Sequence, residues 1–187
     1  MELPKRKPTR LKGYDYSSPG TYFITICVKD RKELLSKIIV GTGVLDCPKN
    51  ILTKYGEIAN KHIQDMSDFY DNIKIDKFVI MPNHIHLLIQ ISEIDNQNGP
   101  SGTPVPTNSF IAQFVSTFKR FCNREYGENI WQARSNDHII RNKNDYKKIW
   151  EYIDTNVIRW EKDCFYNNER SQWTYCDLFL FYTPIYI

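Results

Sequence analysis

Two histidines sit two residues apart in the segment Val79-Ile80-Met81-Pro82-Asn83-His84-Ile85-His86-Leu87-Leu88-Ile89, inside a run that otherwise reads as a buried strand. Side chains alternate across a strand, so His84 and His86 share one face, roughly 6.5 to 7 Å apart along it, while Ile85 and Leu87 take the other. Two imidazoles so placed can lean toward one cation. They can equally be satisfied inside a sheet, and His-x-His alone does not choose between these readings.

A metal held by two imidazoles needs at least one more nitrogen or oxygen ligand, and chemistry on a phosphodiester needs a nucleophile beside it. Tyr152 and Asn156 are four residues apart in a helical pattern, so they lie one above the other on a single stripe, one turn after Lys148. The amide oxygen of Asn156 suits a hard cation such as Mg²⁺ or Mn²⁺, and mixed imidazole and oxygen ligation leaves positions open for a phosphate. Taken singly, Tyr152 also fits an amphipathic residue at a helix boundary, and Asn156 a helix-ending residue. Tyr126 and Tyr146 are rival phenols. Tyr146 precedes Tyr152 by six residues, about 240° around the helix, so both cannot face one metal. Of the other histidines, His62 reads as a helix-surface residue and His138 as a packing residue, a contact to DNA or a support behind the site.

The elements that must position these groups follow from periodicity. Thr21 to Val28 is β-branched and aromatic throughout and predicts the first strand. A variable stretch with Gly41, Gly43 and Pro48 leads to a helix from about Ile51 to Phe69. Ile73 to Met81 and His84 to Ile91 flank Pro82-Asn83 and predict a tight hairpin. Asp95 to Thr107 is rich in Gly, Pro and Asn and predicts a mobile loop. Asn108 or Ser109 then caps a helix bearing Phe110, Ile111, Phe114, Val115, Phe118 and Phe121, which ends before Gly127. The apolar stripe of that helix is core, and its opposite edge offers Lys119, Arg120 and Arg124, either facing DNA or solvated. His138 to Ile140 forms a last strand, and Asn144 or Asp145 starts a helix carrying Ile149, Trp150, Ile153, Val157 and Trp160. The order β-α-β-β-α-β-α predicts an α+β, ferredoxin-like antiparallel sheet with helices on one face.

The chain has 187 residues, enough for one domain with a substantial core. Its five cysteines are odd in number and form no Cys-x-x-Cys pair, which argues for reduced thiols rather than a disulfide framework or zinc ribbon. No apolar run is long enough to span a bilayer and no signal core follows the charged start, so the expectation is a cytoplasmic protein without a membrane partner. The net charge of +3 is local. Residues 1 to 13 hold Lys5, Arg6, Lys7, Arg10 and Lys12 against Glu2, a net +4 that leaves −1 for the rest. Such a basic arm fits phosphate-backbone binding as well as it fits a solvated tail. The expected division is a basic arm over 1–20, a catalytic unit over 21–166, and a tail of unknown role over 167–187.

Met81 to Leu88, preceded by Tyr22-Phe23-Ile24-Thr25-Ile26-Cys27 and followed by Trp131-Gln132, Asp137-His138-Ile139-Ile140-Arg141 and Tyr152-Ile153-Asp154-Thr155-Asn156, resembles the REP-associated tyrosine transposases. These belong to the single-tyrosine HUH nucleases, the wider superfamily of insertion-sequence transposases. The resemblance runs from residue 5 to about 166 and includes the basic Lys5 to Tyr16 segment. It implies the HUH endonuclease fold, a divalent metal, Mg²⁺ or Mn²⁺, on His84 and His86, attack on DNA by Tyr152, and completion of the coordination by Asn156. Many insertion-sequence relatives carry glutamine where Asn156 stands, and related chains often have proline where Val157 stands. The implied substrate is single-stranded or hairpin DNA, cut and rejoined through a 5′-phosphotyrosine by a monomer or homodimer. Two other classes fit the residues. A metal-dependent hydrolase would activate water and use Tyr152 only as a hydrogen-bond donor. A non-catalytic nucleic-acid module would rely on strand aromatics such as Tyr22 and Phe23, although no Gly-Phe-x-Phe pattern supports it.

Overall fold

β-Branched and aromatic residues run without a break from Thr21 to Val28, and the first strand, β1 (Gly20–Cys27), forms there with both of its faces buried beyond Thr21. The structure is a computed structural model that describes Tyr14, Tyr16 and residues 18–40, 47–93, 109–163 and 165–166. The basic residues Lys5 to Lys12, the Gly/Pro/Asn-rich segment 95–107, Cys164, and the tail over 167–187 lie outside the described residues.

After β1 come β2 (Ser36–Ile39), β3 (Lys49–Leu52), α1 (Lys54–Phe69), β4 (Ile73–Ile80), β5 (His84–Ile91), α2 (Phe110–Tyr126), β6 (Asn136–Ile140) and α3 (Lys143–Thr155). Strands β4-β5-β1-β6 form one sheet in that order, and every pairing in it is antiparallel. This is the expected ferredoxin-like arrangement. The predicted hairpin closes tightly, with the Met81 amide donating to the His84 carbonyl at 2.8 Å. Helix α2 begins at its Ser109 cap and ends at Gly127, which holds the left-handed conformation (φ 76°) that stops a helix.

Three helix boundaries differ from the expectation. The helix predicted from Ile51 starts at Lys54, because Ile51 and Leu52 pair in a small β2–β3 hairpin and Thr53 caps α1. Gly56 sits where α1 crosses the Leu35 carbonyl, a contact so close that any side chain would clash. The last helix is capped by Asn142, whose Oδ1 accepts from the Asp145 amide, and it stops at Thr155. Val157 and Trp160 therefore lie beyond it, Trp160 in a short 3₁₀ turn over Trp160–Lys162.

The two faces of the sheet are covered differently. Tyr22, Ile24, Ile26, Ile85, Leu87 and Ile89 point to α1 and α2, where Ile63, Met66, Phe114 and Phe118 complete the main core. Helices on one face is thus the arrangement of α1 and α2. Helix α3 lies on the opposite face, where Ile149 and Ile153 pack on Phe23, Leu88 and Ile140. A bulge between Ile75 and Lys77 turns Asp76 so that its carboxylate accepts from Gln90 Nε2 at 2.6 Å and from Tyr146 Oη at 2.9 Å, tying α3 to β4. No helix among the described residues is long and apolar enough to cross a membrane.

Candidate active site

His84 and His86 point to the α3 face of β5, both fully buried, with ring centroids 4.5 Å apart. The neighbours of each ring decide which nitrogen is exposed to the site. Asn83 Nδ2 donates to the Phe165 carbonyl at 2.7 Å and to the Arg31 carbonyl at 3.3 Å, which fixes its amide orientation. Its Oδ1 can only accept, so at 2.8 Å it takes the proton of His84 Nδ1. His84 Nε2 is then the lone-pair nitrogen, and it is buried with no hydrogen-bond partner. His86 is held from behind by Thr25 Oγ1, 2.9 Å from its Nδ1, and Thr25 stands directly opposite it on β1. Outer hydrogen bonds of this kind orient imidazole ligands.

Tyr152 reaches the same place from α3. Its hydroxyl lies 3.3 Å from His86 Nε2 within one chain, across a sequence separation of 66 residues, and its ring meets Phe23 edge-on at 6.1 Å. The chain then turns back over the histidines. Asp163 Oδ2 accepts from Tyr152 Oη and from Asn156 Nδ2, each at 3.4 Å, while its Oδ1 accepts from the Phe165 amide at 2.8 Å. The Phe165 ring covers His84 at 4.4 Å and Trp160 flanks it at 6.0 Å. Asn156 is buried, and its Oδ1 has no hydrogen-bond partner.

His84, His86 and Asp163 each offer one ligand atom, and the three lie within 4.8 Å of one another. Two imidazole nitrogens and a carboxylate make a mixed nitrogen and oxygen donor set that fits a divalent cation, and Asn156 adjoins it through its bond to that carboxylate. Electrostatics agree. Burial, with His86 and Arg31 nearby, holds the His84 pKa well below its ordinary value, and burial alone lowers His86 to about 3, so both rings are neutral and able to ligate. Burial raises the Asp163 pKa, opposed by its hydrogen bonds and by Arg31. Asp163 was invisible to spacing, because an irregular turn rather than a helical or strand period carries it to the site.

The remaining candidates have other partners. Tyr146 is spent on Asp76, and the Tyr126 hydroxyl donates to the Tyr55 carbonyl at 2.7 Å. His62 is buried rather than on the helix surface, since α1 and α2 close around it and its Nε2 lies 2.9 Å from Glu125 Oε1. His138 pairs opposite Phe23, on the strand beyond β1 from His86. Lys119 turns inward, donating to the carbonyls of Gln132 and Ala133 at 2.7 and 3.4 Å, and Arg120 and Arg124 lie against the Phe121 ring.

No protein-family model matches the chain. A Haemophilus influenzae protein described only as uncharacterized is 34% identical over 176 residues, covering 86% of this chain and 93% of the relative. An Escherichia coli REP-associated tyrosine transposase is 25% identical over 144 residues, covering 77% of this chain and 70% of the relative. The solved structure of a REP-associated tyrosine transposase bound to a REP hairpin superposes with a TM-score of 0.55 at 20% identity, over 94% of this chain and 82% of that one, which shows a shared fold. Fold and centre together define an antiparallel α+β protein whose paired strand histidines face a helix tyrosine. The chain is similar in sequence to REP-associated tyrosine transposases and shares the fold of one solved with a REP hairpin.

Proposed function

We propose that the protein is a DNA-processing transposase that nicks and rejoins single-stranded or hairpin DNA through Tyr152. The observation that carries this reading is the Tyr152 hydroxyl 3.3 Å from His86 Nε2 inside a buried histidine pair. His84, His86, Asp163 and Asn156 would hold a divalent cation, Mg²⁺ or Mn²⁺, and when bound it would supply Lewis-acid polarisation of the scissile phosphate.

The residues of the chain do the rest. Tyr152 Oη attacks phosphorus, the new O–P bond forms as the bond to the 3′ oxygen breaks, and the products are a 5′-phosphotyrosine and a free 3′-hydroxyl. The phenolic proton is passed to Asp163 Oδ2, which already accepts a hydrogen bond from it, and ends on the leaving 3′ oxygen. Phe23 and the Phe165 and Trp160 cover limit water around the centre, which protects the ester from hydrolysis. A second 3′-hydroxyl can then reverse the step and join strands without a nucleotide cofactor. The relative that was solved with a REP hairpin supports hairpin DNA as substrate.

The test is incubation with end-labelled single-stranded hairpin DNA and Mg²⁺ or Mn²⁺, followed by a denaturing gel. A slower covalent species that needs the cation and disappears in Tyr152→Phe is expected. Cleavage that persists in Tyr152→Phe with no adduct would instead assign water as the nucleophile.

A further inference from the structure

Beside the histidine pair a second feature opens, a cavity of about 590 Å³ between the 3₁₀ turn after β1, Lys29–Arg31, and the segment that leads into β6. The two walls are stitched together, with the Lys29 amide donating to the Ile130 carbonyl at 2.7 Å and the Gln132 amide to the Cys27 carbonyl at 2.9 Å. Lys29 and Arg31 line it against one acid, Asp30, and Asn129, Gln132 and the buried Trp131 supply amides and an apolar wall. Asp30 and Arg31 both hold left-handed backbone, with φ of 56° and 53°. That conformation is unfavourable for a residue with a Cβ and least expected at an arginine. It is held in place from the site itself, because Asn83, the residue that orients His84, also bonds the Arg31 carbonyl. The Arg31 guanidinium lies 5.5 Å from the Phe165 ring that covers His84. A cationic cleft of this size, joined to the proposed DNA-cutting centre through Arg31, matches one phosphate and its adjoining base rather than a duplex.

We propose that this cleft binds the single-stranded nucleotide next to the scissile bond, with Lys29 and Arg31 on its phosphate and the Asn129 and Gln132 amides facing its base. The assignment rests on the DNA-nicking reading above. Its test uses the full chain in a Tyr152→Phe background, a fluorescein-labelled thymidine oligomer of about twelve nucleotides, and a blunt duplex of the same length, titrated across salt. Each phosphate contact to a single strand contributes about 0.7 to the slope of log affinity against log salt. Lys29→Ala is therefore expected to lower the slope for the oligomer by about 0.7 and its affinity at 0.1 M salt by about fivefold, leaving the duplex unchanged. Arg31→Gln is expected to act in the same direction, and Lys29, being exposed, keeps the test valid if Arg31→Gln misfolds. Unchanged oligomer binding by Lys29→Ala, or an equal loss on the duplex, overturns the cleft assignment. Adduct formation by the unaltered chain in that case leaves the nicking reading standing, whereas an unaltered chain that neither binds the oligomer nor forms an adduct overturns both.

Discussion

Alternate residues of β5 meet opposite surroundings. On one face Ile85, Leu87 and Ile89 enter the main apolar core beneath α1 and α2, and on the other His84 and His86 meet Tyr152 and Asp163, with Asn156 bonded to Asp163, under α3 and the turn that follows it. Both faces are buried, and the second leaves His84 Nε2 and Asn156 Oδ1 without hydrogen-bond partners at one site. Burying such atoms is unfavourable unless something satisfies them. On the proposed reading, one strand carries stability on its odd positions and chemistry on its even ones.

That division can be broken by substitution. The largest effect is expected at Tyr152→Phe, which removes one hydroxyl from the chemical face. Adduct formation should fall by on the order of 10³-fold or more, with the urea midpoint nearly unchanged. On the other face Leu87→Ala should cost about 2 to 5 kcal/mol of stability, read from urea unfolding, while Mn²⁺ affinity of the folded fraction stays as in the unaltered chain. Thr25→Val removes the hydrogen bond that orients His86 and keeps its shape, so Mn²⁺ affinity by calorimetry should drop about 10- to 100-fold with little loss of stability. The smallest effect is expected at Lys77→Met. Lys77 pairs with the half-exposed Asp154 and lies 4.0 Å over Trp150, and losing the ion pair should cost less than about 1 kcal/mol. A large loss of metal affinity in Leu87→Ala, or a large loss of stability in Thr25→Val, would mean that the two faces are not separate.

What was legible in the sequence follows the same division. β1, the β4–β5 hairpin and α2 carry strong period and punctuation, with Pro82-Asn83 between the strands and Ser109 and Gly127 at the helix ends, and each formed where it was read. The β2–β3 hairpin was not legible, because its four-residue strands leave Ile39 and Ile51 about half exposed and so carry no burial pattern. The burial of His62 depends on Glu125, 63 positions away, a tertiary contact that no window spans. At the site, the His-x-His alternation and the Tyr152–Asn156 helical spacing pointed to the residues now found together. Asp163 follows a broken helix end, where side-chain direction is set by the Asp163–Phe165 turn rather than by any repeat.

The most direct test of the central claim, that Tyr152 is the group that joins to DNA beside the histidine pair, is mass spectrometry of the protease-digested covalent complex. The prediction is a nucleotide-bearing peptide that contains Tyr152, formed with Mg²⁺ or Mn²⁺ and lost in His84→Ala. A DNA-linked peptide carrying Tyr146 or Tyr126 instead, or nicked DNA with no linked peptide at all, would contradict it.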